Sequence, residues 1–248
     1  MLLPSRPDTA DLIFDGALEL EDPEPGAVQR AVGRAADPAE IARLLPQVSV
    51  GRPEAWSIDD LYRRAGTTPP SLTQAMLERY DLYLIRLACS FRPEHGKSRV
   101  DWARFELTLE PDDQGNQPLA EDLHPDVVDA EQKAHTKAVI GPSVKFQSVE
   151  VSVGNLEIGV EYTKLLPRIS ASGQFQANPA WDYFRVPGHD VVGGKMMHLI
   201  AKAPQGMAAA TGTITLTADI ETTGGIIRAI LRRPSDKVAA SLPVRLWP

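Results

Sequence analysis

The chain has 248 residues, 43% of them apolar and 24% charged, the balance of a globular protein with room for one or two cores. With 26 Lys+Arg against 33 Asp+Glu the net charge is -7, and the densest basic groups are only Arg63-Arg64 and Arg228, Arg232 and Arg233, which sets aside nucleic acid as a partner. The single cysteine, Cys89, excludes an internal disulfide, the opening Met1 to Pro7 lacks the apolar run of a signal peptide, and no window approaches the ~20 apolar residues of a spanning helix, so a soluble cytoplasmic protein is expected.

Residues 1–80 read as an N-terminal arm with short helices. Leu12-Ile13-Phe14 is an apolar cluster followed by the acidic, proline-containing stretch Glu19 to Glu24, the pattern of an extended arm. Asp37 with Pro38 and Glu40 has the N-cap, first-turn proline and N3 carboxylate of a helix start. Ser57 with Asp60 opens a second helix, which Gly66 closes, and Ser71 to Tyr80 forms a third after Pro69-Pro70.

From residue 81 the hydrophobic period becomes two, and residues 81–248 read as an antiparallel β-sandwich, or a partly open barrel. Leu82 to Phe91 and Val100 to Leu109 are strands expected to pair as a hairpin. Gly154-Asn155 is a two-residue turn that sets Val153 opposite Leu156, Val151 opposite Ile158 and Val149 opposite Val160 on one face, with Ser152 opposite Glu157 and Ser148 opposite Glu161 on the other. Strands follow at Arg168 to Phe175, Trp181 to Val186, Met196 to Ala203, Thr211 to Glu221, Ile226 to Leu231 and Ala239 to Leu246. In the fourth of these Thr211, Thr213, Thr215 and Thr217 alternate with Gly212, Ile214, Leu216 and Ala218, giving one apolar and one hydroxyl-rich face. The polar stretch Asp112 to Val139 is the exception, a long loop with a short helix near Asp126 to Lys137.

Chemistry is sparse in this pattern. Asp122, His124 and Asp126 share one side of an extended segment, and His135 offers a fourth N/O ligand for a divalent metal and a metal-dependent hydrolase; the acidic, proline-containing surroundings read more simply as a solvated loop. Asp112 to Asn116 lacks the spaced carboxylates and closing glutamate of a calcium loop and reads as a turn. No G-x-S-x-G elbow, P-loop or dinucleotide fingerprint occurs, Cys89 lies in an apolar strand as a structural thiol, and no cofactor is expected.

The expected role is therefore a non-enzymatic protein-interaction or assembly module of an intracellular complex, acting on a protein partner or on a second copy of itself. Leu12, Ile13 and Phe14 in the arm and Trp247 beside the C-terminus are the expected docking residues, the arm being dispensable for folding. The alternative is a membrane-active effector: Met207 to Ala218 is free of charge and long enough for a spanning β-strand, so Thr211, Thr213, Thr215 and Thr217 would line one arm of an inserting hairpin. Its following arm carries Arg228 and runs into Arg232-Arg233, and a membrane is not the expected partner.

Overall fold

Strands of alternating burial build this chain, which a computed structural model describes over residues 11–21, 43–93, 98–128, 137–140, 146–149, 168–186, 188–207, 209–222, 225–231 and 241–247. In chain order the strands are β1 (Leu12–Ala17), β2 (Glu19–Leu20), β3 (Gln47–Gly51), β4 (Glu54–Ser57), β5 (Tyr80–Arg92), β6 (Arg99–Leu109), β7 (Leu119–His124), β8 (Val127–Val128), β9 (Lys137–Ile140), β10 (Phe146–Val149), β11 (Arg168–Ser172), β12 (Ala180–Phe184), β13 (Gly193–Pro204), β14 (Ala210–Thr222), β15 (Gly225–Ile230) and β16 (Leu242–Trp247). Helices α1 (Ile58–Arg64) and α2 (Ser71–Leu77) stand between β4 and β5. The fold is mainly β with antiparallel sheets, as the sequence pattern predicts.

The first sheet runs β1-β3-β5-β13-β7, with β4 also on β5, and the second runs β2-β15-β14-β6-β12-β11-β8, with β16 also on β14. Their inward residues share one core. Ile85, Leu87, Cys89 and Phe91 of β5 and Met197, Leu199 and Ala201 of β13 meet Phe105 and Leu107 of β6, Trp181 and Tyr183 of β12, and Ile214, Leu216 and Ile220 of β14. Because successive side chains of a strand point to opposite faces, the alternate residues Leu82, Leu84 and Ile200 fall on the outer face of the first sheet. There Ile58 and Tyr62 of α1 cover them as a second, smaller cluster. Ser57 caps α1 by accepting from the Asp60 backbone N–H, as its sequence signature predicts.

Four expectations need correction. The stretch Asp112 to Val139, expected as a long loop, carries β7 in the first sheet and β8 in the second. β5 and β6 do not pair as a hairpin: β5 is flanked by β13 on one side and by β3 and β4 on the other, β6 by β14 and β12, so the connection crosses from one sheet to the other. The boundary drawn at residue 80 falls inside a sheet, since β1, β3 and β4 extend the sheet of β5. The arm is also part of the fold: β1 pairs with β3, and Leu18 between β1 and β2 is fully buried. The helix start at Asp37 and the Gly154-Asn155 hairpin lie outside the described residues.

Candidate functional site

Strand register assembles a polar row that no local sequence pattern announces. On the outer face of the first sheet Glu54 of β4 is the partner of Arg86 on β5, Arg86 of His198 on β13, and His198 of His124 on β7. Arg86 is 4% exposed; its Nε donates to Glu54 Oε2 at 2.7 Å and its guanidinium lies 4.9 Å from the centre of the Trp56 ring. A buried guanidinium needs this combination of a carboxylate and an aromatic face to offset its lost hydration. The His124 and His198 rings follow, 6.3 Å apart between centroids.

Both imidazoles are pushed toward the neutral form. Burial, then the neighbouring His124, then Arg86 lower His198 to about 3, and burial lowers His124 against the opposing pull of Asp126. The pair is uncharged near neutral pH and would take up protons only where water reaches it.

The metal-ligand expectation meets a different arrangement. His124 ends β7, Asp126 follows the cis bond to Pro125, Asp122 accepts from Gln174 Nε2 at 3.5 Å, and His135 lies outside the described residues. No group of three or more His, Cys, Asp or Glu able to hold a metal occurs among the described residues. Cys89 lies on the other face of β5, inside the sandwich, where burial pushes its thiol up to about 12.

The expected docking residues are also placed elsewhere. Trp247 is 3% exposed, pairs with Ala210 and stacks on Tyr83 with ring centroids 4.2 Å apart. Leu12 is 46% exposed on edge strand β1, while Ile13 and Phe14 pack against the shared core. Thr211, Thr213, Thr215 and Thr217 line the outer face of β14, which β6 flanks on one side and β15 and β16 on the other. Thr213 donates to Glu110 at 3.0 Å, and Thr215 and Thr217 lie beside Glu106 and Arg104.

Among the described residues β9 and β10 pair with each other and with neither larger sheet, as a two-stranded ribbon with Phe146 opposite Ile140 and Val149 opposite Lys137. β10 lies against β7. In chain order the ribbon falls between β8 and β11, which pair with each other in the second sheet.

No protein-family model matches the sequence, and no curated protein matches it. Among solved structures the chain is similar to Clostridium perfringens delta-toxin, at 8% identity with a TM-score of 0.37 over 80% of this chain and 88% of that one. It is also similar to the Clostridium perfringens NetB toxin in its membrane-inserted form, at 10% identity with a TM-score of 0.34 over 85% of this chain and 91% of that one. The expectation of a cytoplasmic protein-interaction module is corrected here: the similar structures are toxins, one of them inserted in a membrane, and the arm and Trp247 that would have docked a partner are built into the fold.

Proposed function

We propose that this protein is membrane-active: it assembles with copies of itself and inserts a β-hairpin from the stretch 129–167 into a lipid bilayer. The observation that carries this reading is the sequence running on from the detached β9–β10 ribbon. Val149, Val151, Val153, Leu156, Ile158, Val160 and Tyr162 fall on one face of a hairpin turning at Gly154-Asn155, and Ser148, Glu150, Ser152, Glu157, Gly159 and Glu161 on the other. Apolar-out, polar-in alternation is what a barrel strand presents to lipid and to water. Residues 144–153 and 156–166 give each arm the ~9–11 residues a spanning strand needs, with the apolar strip itself running from Val149 to Tyr162 and Val144 and Phe146 falling on the face of Ser148.

Self-assembly follows from the backbone. A lone hairpin in hydrocarbon has two open edges whose N–H and C=O groups find no water, so only a closed barrel made from several copies satisfies them.

β14 is a poorer source of that hairpin than its charge-free run suggests. Ile214, Leu216, Ala218 and Ile220 are at most 1% exposed, and extracting each large one would forfeit roughly 1.5–3 kcal/mol of burial. Among the described residues the strands of the stretch 129–167, β9 and β10, belong to neither of the two larger sheets.

The test is dye release from phosphatidylcholine vesicles by the full chain. Wild-type protein is expected to release dye, and Val151→Asp or Ile158→Asp to abolish release with an unchanged thermal unfolding midpoint, because a carboxylate interrupts the apolar strip a barrel strand turns to lipid. Absence of release by wild type, or undiminished release by both variants, overturns the reading.

A further inference from the structure

β7 is an edge strand of the first sheet, and β13 is its strand neighbour there. Their pairing shifts register between Ile200 and Ala201, so its terminal part is Asp122, Leu123 and His124 beside Ile200, Leu199 and His198. Beyond His124 the chain passes Pro125, Asp126 and β8 and enters the stretch 129–167. The last rung of this edge is thus a pair of histidines.

Charged and titratable groups surround that rung on each strand. On β5 the neighbour of His198 is Arg86, whose charge meets Glu54 of β4. On β7 the neighbour is His124, with Asp122 two residues before it and Asp126 two residues after, the latter drawing His124 toward its charged form. On β13 itself Lys202 is paired with Glu121 at 2.7 Å; of the two further strands against β7, β10 has no ionisable residue from Phe146 to Val149 and β11 begins with Arg168. Two protonated rings would face each other across the rung with Arg86 behind one of them, and like charges directly opposite oppose strand pairing.

We propose that His124 and His198 are an acid-sensitive fastening of β7 to β13: proton uptake by the two rings parts the end of β7 from its neighbour and loosens the attachment of the chain that continues through β8. That β7 opens in acid is a property of the sheet alone; that opening favours membrane insertion rests on the function proposed above. A histidine held below its free value of 6.5 in the closed sheet keeps the pairing at full strength above that pH and weakens it as the pH falls, because the opened strand binds the proton first. For one such ring the opening equilibrium shifts about thirtyfold between pH 7.5 and pH 5.0.

Hydrogen exchange on the full chain without lipid tests this, expressed as protection factors so that the intrinsic pH dependence of exchange cancels. Amides of 119–128 are expected to lose about thirtyfold or more in protection from pH 7.5 to pH 5.0 while β6 and β14 hold theirs, and the His124→Gln, His198→Gln double variant to lose that response. Equal protection at both pH values in wild type overturns the proposal, as does a folded double variant with the wild-type response. If the double variant does not fold, histidine NMR titration of the wild type decides: rings titrating together with the loss of β7 protection support the fastening, and loss of protection without ring titration overturns it. Vesicle dye release at both pH values separates the two readings. No release alongside acid opening of β7 removes the membrane function and leaves the fastening; release alongside a β7 that stays closed removes the fastening and leaves the function.

Discussion

Tyr183 is 1% exposed on β12 in the shared core, and its hydroxyl finds no hydrogen-bond partner among the described residues. Burial holds the phenol well above its usual range, so the group is neutral at any ordinary pH and its cost is that of a desolvated hydroxyl. The ring itself packs at 6.3 Å from Phe91 and contributes as any core aromatic does. Tyr183→Phe keeps the ring and removes the orphaned donor. Urea denaturation is expected to show the variant as stable as wild type or up to about 1 kcal/mol more stable, the reverse of the usual effect of a core substitution; a loss above about 1 kcal/mol would mean that the hydroxyl is satisfied.

At the scale of elements the edge strands decide how much of the chain the fold requires. β1 pairs with β3 from Leu12 to Ala17, Ser49 donates to Asp15 at 2.6 Å across that pair, Arg92 of β5 also binds Asp15, and Leu18 is fully buried. Removing residues 1–20 strips β1 and β2 and uncovers the core beneath them, at a cost of roughly 1.5–3 kcal/mol for Leu18 alone. The truncated chain is expected to unfold at a clearly lower temperature in a thermal melt followed by circular dichroism; an unchanged midpoint would make the arm dispensable. The sequence hid this because β1 and β3 are short, and a five-residue alternation such as Gln47–Gly51 is weak evidence beside the long run of β14. β6 and β14 were legible for the opposite reason, being long, with both faces unambiguous. Which strands pair was not legible where partners are distant: β5 meets β13 and not β6, and with that register come Arg86 beside His198 and His198 beside His124. Trp247 was misread through its position near the chain end, where its burial depends on Ala210 and Tyr83 far back in the sequence.

For the whole molecule, the interleaving of early and late strands predicts one cooperative unit. β3 and β4 flank β5 on the side away from β13, and α1 supplies Ile58 and Tyr62 to the cluster that buries Leu82, Leu84 and Ile200. A fragment of residues 81–248 would therefore expose one edge of β5 along its length and the apolar outer face of the first sheet. It is expected to be unfolded or aggregated when expressed alone, as unpaired edges and uncovered apolar strands favour. In the intact chain Trp56 on β4 reports the first sheet, while Trp102 on β6, Trp181 on β12 and Trp247 on β16 report the second. Urea unfolding followed by tryptophan fluorescence and by far-ultraviolet circular dichroism should then give coincident midpoints, the signature of a two-state transition. A fluorescence change of Trp102, Trp181 and Trp247 that persists in a folded 81–248 fragment, with native strand content, would show that the second sheet folds without β1 to β4. The shared core of Phe91, Phe105, Trp181 and Leu216 argues against that outcome, because each sheet contributes half of the wall that the other packs on.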